Sequence, residues 1–201
     1  MVGAVVGGST AIGAVIVVWW FFSPKYTDVG YQPKQPVEFS HKLHAGDMGL
    51  DCRYCHSNVE KSQEANVPSA QICMNCHTQV KQDSPKLKLV RESYAEDKPI
   101  EWIRIHKLGE YAYFDHSAHS NAGVGCSSCH GRIDKMEVVS QAEPLSMGWC
   151  LDCHRNPGEH LRPHSELTNM SWKQTLSDKE IDALIKDRNL NPPENCSACH
   201  R

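Results

Sequence analysis

The chain has 201 residues, room for one domain or two small ones. Its net charge of −3, without any run of Lys or Arg, excludes the basic footprint of a nucleic-acid-binding surface. Apolar residues make up 40% of it, but much of that share lies in the first 22 residues and part of the rest is cysteine, so the remainder is too poor in aliphatics to build a core from side chains alone.

Val2 to Phe22, VGAVVGGSTAIGAVIVVWWFF, is uncharged. At about 1.5 Å per residue, a helix of that length covers the hydrocarbon thickness of a bilayer. Trp19, Trp20, Phe21 and Phe22 close it, where aromatic rings favour the headgroup region, and Ser23-Pro24-Lys25 ends it. The competing reading is a cleaved secretory signal. The segment's length, its bulky end and its lack of a small-residue cleavage site favour an uncleaved anchor. Gly3, Gly7, Gly8 and Gly13 would let another membrane helix pack closely. Residues 1–22 are therefore expected to be a transmembrane anchor, and residues 23–38, with Pro24, Pro33 and Pro36, an exposed linker.

Every cysteine falls in a CxxCH motif: Cys52, Cys55 and His56; Cys73, Cys76 and His77; Cys126, Cys129 and His130; Cys150, Cys153 and His154; Cys196, Cys199 and His200. The spacing i, i+3, i+4 gathers three side chains on one side of a helical turn. Two thiols can then bond the vinyl groups of a haem while the histidine reaches its iron as proximal ligand. Zinc knuckles or redox dithiols also use CxxC, but neither requires a histidine after every pair. The pattern implies five covalently bound haem c groups, whose flat apolar macrocycles supply the buried surface that the side chains lack. Since c-type haem is attached outside the cytoplasmic membrane, the expected topology is a single pass with the haem-bearing part on the periplasmic or extracytoplasmic side.

Seven histidines lie outside the motifs, enough to give most irons a second axial ligand. Four form a repeat: Phe39-x-His41-x-x-His44 ahead of Cys52, and Phe114-x-His116-x-x-His119 ahead of Cys126. Each block precedes a pair of motifs, and its two histidines diverge enough on a helix to serve two different haems. His106, in the alternating stretch Trp102 to His106, is a further distal candidate, and Met147, three residues before Cys150, an alternative one. His160 and His164 read as surface residues.

The expected organisation is a first dihaem unit and connecting loop at 39–105, a second dihaem unit at 106–154, and a C-terminal segment at 155–201 with the fifth haem. Residues 78–105 read as loop with one short strand. Ser177-Asp178-Lys179-Glu180 has the form of a capping box opening a short helix with Ile181, Leu184 and Ile185 on one face. The fold class is a multihaem cytochrome c, mostly loops and short helices wrapped around haems, plus one N-terminal transmembrane helix.

The FxHxxH block before CxxCH resembles multihaem cytochromes of the c3 and c7 type. The anchor, the stretches Gly30–His56 and Trp102–His119, CMNCH and CLDCHRNP together resemble the pentahaem cytochrome c subunit (ActA) of alternative complex III. That resemblance implies a quinol-oxidising respiratory complex in which iron–sulfur and polytopic quinone-binding subunits are the partners. It also implies onward transfer to a soluble electron carrier or terminal oxidase, and His41, His44, His106, His116 and His119 as axial ligands. The chain is then a relay without catalytic residues, not an enzyme alone. The alternative is a membrane-anchored multihaem quinol dehydrogenase that oxidises quinol itself and feeds a reductase.

Overall fold

The computed structural model describes residues 2–200, with Val2 and Ala4 described in backbone only. Helix α1 (Val2–Phe21) carries no charge, and its bulky side chains are exposed along its length. Its two hydroxyls turn inward, Ser9 Oγ donating to the Val5 carbonyl and Thr10 Oγ1 to that of Val6. Among the described residues no helix is long and apolar enough to cross a membrane.

Beyond α1 the chain is short helices joined by irregular segments. α2 (Pro24–Thr27) follows directly, then a π-helical stretch (Lys42–Asp47), α3 (Cys52–Cys55), α4 (Ala70–His77) and α5 (Lys88–Glu96). After these come α6 (His116–Ala122), α7 (Ser127–His130), α8 (Met147–Arg155), α9 (Asp178–Asp187) and α10 (Cys196–Cys199). Each motif cysteine pair lies on or beside one of these turns. Asp51, Asn195 and Ser146 cap α3, α10 and α8 by accepting backbone N–H bonds. α9 opens on the expected box, with Ser177 N–H donating to the Glu180 carboxylate at 2.8 Å.

Residues 23–38 are mostly exposed, but they are pinned at two points. Gly30 and Tyr31 exchange backbone hydrogen bonds with Gln141, and Val37 is buried with Ala70, Met74 and Val90. Burying Val37 fixes the end of the segment against the first pair of motifs. Residues 78–105 also differ: α5 occupies the middle, because Val90 and Ser93 fall on one buried face, a helical period diluted by the surrounding Lys and Glu. No strand forms at Trp102–His106. The segment is extended, and Ile103 is held at both its backbone groups by the Gln35 side chain.

Side-chain cores are small. Besides the Val37 cluster, Leu161 and Leu167 are nearly inaccessible and Met170 is buried. The two halves interlock through polar contacts. α6 docks on the loop after the first motif: Ser117 N–H donates to the Ser62 carbonyl, Ser120 Oγ to that of Val59, and Asn121 Nδ2 to that of Glu60. Gly46 faces the backbone of Asp134, where any Cβ would collide, so the π-helical stretch presses directly on the turn at Ile133–Lys135.

Candidate metal centres

The two FxHxxH blocks fold alike around their phenylalanine. Phe39 stacks on His44 at 4.4 Å and meets His41 edge-on at 4.8 Å. Phe114 repeats this with His119 at 4.7 Å and His116 at 4.8 Å. In both blocks the second histidine donates from Nδ1 to the carbonyl four residues back, His44 to Ser40 at 2.8 Å and His119 to Asp115 at 2.7 Å. The backbone differs, because the first pair opens a π-helical stretch while the second starts an α-helix capped by Asp115. Each phenylalanine thus fixes the splay of its two imidazoles.

Each of these four histidines faces the histidine of one motif. His41 lies opposite His56, centroids 6.5 Å apart and planes within 3°. His116 faces His130 at 6.4 Å and 11°. His44 faces His77 at 6.2 Å, and His119 faces His154 at 6.2 Å. Two imidazoles bound on opposite sides of one iron, each at about 2 Å, have centroids about 6 Å apart. Direct ring contact would bring them closer, and unrelated rings would show no common separation.

The nitrogens agree with this use. Nδ1 reaches a backbone carbonyl in His56 (Asn66, 2.6 Å), His77 (Val80, 3.0 Å), His154 (Pro193, 2.7 Å) and His116 (Gln63, 2.9 Å). A carbonyl only accepts, so Nδ1 holds the proton and Nε2 keeps the free lone pair that a metal needs. His41 is different: its Nδ1 is buried without a partner in the chain, an unpaired polar atom of the kind that marks where a bound group belongs. Burial pushes His41 down to about 4 and His130 down to about 3, so both stay neutral, as a ligand must. Among the described residues no cluster of three or more His, Cys, Asp or Glu side chains is arranged around a metal ion. Paired imidazoles beside free thiols fit a haem iron and not tetrahedral zinc.

The motifs are close neighbours in an unbroken order. Cys55 lies within electrostatic reach of Cys73 and Cys76, linking the second motif to the first. The sulfurs of Cys52 and Cys126 are neighbours, linking the first to the third. Cys129 neighbours Cys150 and Cys153, and Cys150 neighbours Cys199. The fifth motif is tied to α8 by an Arg155–Glu194 ion pair at 3.1 Å as well as by the His154–Pro193 bond.

The remaining candidates fall elsewhere. His106 meets His130 at the ring edge, 4.4 Å between centroids, with its Nε2 3.3 Å from His130 Nδ1. Met147 is exposed on the first turn of α8, one turn ahead of Cys150. His160 accepts from Gly125 N–H through its carbonyl, and His164 Nε2 contacts the Asn121 carbonyl. The ring facing His200 is that of Tyr111, at 5.8 Å and tilted 31°. Sequence reasoning missed Tyr111, since a lone aromatic in a loop carries no ligand pattern. It also missed Arg162, buried behind the third motif, which donates to the Asn169 carbonyl and Ser127 Oγ.

Residues 37–94 and 112–201, most of the chain, match the family described as cytochrome c7 and related cytochrome c. The chain belongs to that family. It is a multihaem cytochrome c that carries covalent haem c and transfers electrons. It is 28% identical over 197 residues to the menaquinone reductase multiheme cytochrome c subunit of Nitratidesulfovibrio vulgaris, covering 94% of this chain and 85% of the relative. It is 26% identical to the multiheme cytochrome MtrA of Shewanella baltica over 76% of this chain but only 42% of that protein. Against a cytochrome c3 of Maridesulfovibrio salexigens the identity is 27%, over 60% of this chain and 79% of the relative.

Proposed function

We propose that this cytochrome is a pentahaem electron-relay subunit of a membrane quinol oxidoreductase of the alternative complex III kind. The carrying observation is the set of four opposed histidine pairs on motifs that adjoin in the order second, first, third, fourth, fifth. His41 and His56, His44 and His77, His116 and His130, and His119 and His154 hold four haems, each by two imidazoles. His200 holds the fifth.

Bound haem supplies one-electron chemistry between ferric and ferrous iron. The chain's part is to hold ligands at fixed distance through that change. The pinned Nδ1 atoms and the two phenylalanine clamps do this, keeping reorganisation small. In this reading those residues serve as ligands and clamps only, and the chain alone has no catalytic activity. A partner subunit supplies the quinone site, with iron–sulfur and polytopic subunits as neighbours. The second and fifth motifs are the ends of the relay, one toward those partners and the other toward a soluble carrier or terminal oxidase.

α1 is the anchor in this reading, with its N-terminus cytoplasmic and the haem-bearing part outside. Support comes from its uncharged surface, from the back-bonded Ser9 and Thr10, and from the aromatic end, where Lys25 Nζ lies 5.7 Å from the Trp20 ring. Likeness to a menaquinone reductase subunit favours a second direction of flow, from an outside carrier into the quinone pool through the same relay.

Purification from membranes in mild detergent tests the reading. The expected result is a large complex with quinone-linked activity, and an isolated subunit that exchanges electrons with a soluble carrier but does not oxidise quinol. An isolated subunit that oxidises menaquinol as fast as the membrane does would replace the relay by a quinol dehydrogenase.

A further inference from the structure

Among the motif histidines of the four pairs, the Nδ1 contacts follow one rule with one departure. His56, His77 and His154 each place Nδ1 on a backbone carbonyl. His130 instead places it 3.3 Å from Nε2 of His106, a side chain from another segment. The rings meet edge to face, 78° apart, with the two nitrogens within hydrogen-bonding distance. His130 also faces His116, whose ring is nearly parallel at 6.4 Å. His106 holds Nδ1 of His130, which leaves Nε2 for the iron that His130 and His116 would share.

We propose that His106 is a positioning residue for the third haem: it accepts the Nδ1 proton of His130 and sets the tautomer, orientation and donor strength of that ligand. This rests on the His116–His130 pairing and replaces a distal-ligand role for His106. Accepting that proton increases electron donation from His130 to iron, which favours the ferric state and lowers the potential. The location gives the contact its consequence. The third motif joins the halves of the chain, with Cys126 on Cys52 and Cys129 beside Cys150 and Cys153, so every electron crossing the relay passes the site that His106 tunes. The approach of His106 is set by the extended segment before it, held through Ile103 by Gln35. The bond is thus built by the packing of residues 23–38 as well as by its own two histidines.

The test is redox potentiometry with EPR on the full-length holoprotein at fixed pH, comparing wild type, His106→Leu and His106→Gln. The Leu variant should keep every low-spin signal of the wild type while one midpoint potential moves upward. The Gln variant, whose side-chain carbonyl can accept the same proton, should return that midpoint toward wild type. A new high-spin signal in either variant would make His106 an axial ligand and overturn the proposal, as would an unmoved set of midpoints in the Leu variant. If the Leu variant fails to assemble, the Gln variant still decides, since an amide replacing an axial imidazole loses the low-spin iron and an amide replacing a hydrogen-bond acceptor does not. His116→Ala in parallel reports on the pairing itself. If it leaves all haems low-spin, the pairing has failed, whereas failure of the His106 variants alone leaves the pairing standing.

Discussion

The sulfurs of Cys52 and Cys126, one from each half of the chain, lie side by side. Haems attached through these two motifs would therefore be neighbours. Charges this close in a protein interior interact appreciably, since the local dielectric is well below that of water. Replacing His116 with Met should raise the potential of the third site, and the first site should move with it. Potentiometric titration resolves this as two displaced waves. A single displaced wave would mean that the two sites do not feel each other.

Removing one distal imidazole should convert one haem to high spin without detaching it. His41→Ala and His116→Ala are each expected to show this by EPR. The intact mass of both, and of the wild type, should equal the chain plus five haems. Unchanged low-spin spectra in both variants would sink the ligand assignment, and a smaller mass would sink the count.

The fifth site should stand apart from the other four. His200 faces Tyr111 where each of the other motif histidines faces an imidazole. Paired imidazoles favour the ferric state more than a single one does, so one midpoint should lie above the group of four. Tyr111→His should bring it down toward them. Five equivalent bis-imidazole signals in the wild type would show that a histidine covers this site after all.

Gly125 marks a position where the third motif tolerates no side chain. A Cβ there would collide with the Arg162 guanidinium, which is buried and committed to Asn169 and Ser127. Gly125→Ala should cost about 1–3 kcal/mol by overpacking. Thermal unfolding followed by haem absorbance measures it. A melting point equal to that of the wild type would mean that Arg162 can move aside at no cost.

The division between what was legible in the sequence and what was not follows the range of the interactions. The CxxCH spacing is local, and one turn of helix suffices to present two thiols and an imidazole, so those positions could be read directly from Cys52 to His200. The FxHxxH repeat was legible as a set of paired histidines, and so was the capping box at Ser177, because each acts within four residues. Which histidine faces which was not legible. His41 and His56 are separated by a π-helical stretch and a cap, and His119 and His154 by α7 and an irregular segment, so their opposition depends on how those pieces pack. α5 was hidden because its buried face is only Val90 and Ser93 among charged neighbours. The engagement of Val37, the docking of α6 on the loop after the first motif, and the contact of His106 with His130 all join residues far apart in the chain. Local composition determined what each segment could bind. Only tertiary packing decided which nitrogen each imidazole offers and toward which partner, because a hydrogen bond to Nδ1 comes from whatever backbone or side chain the fold brings there.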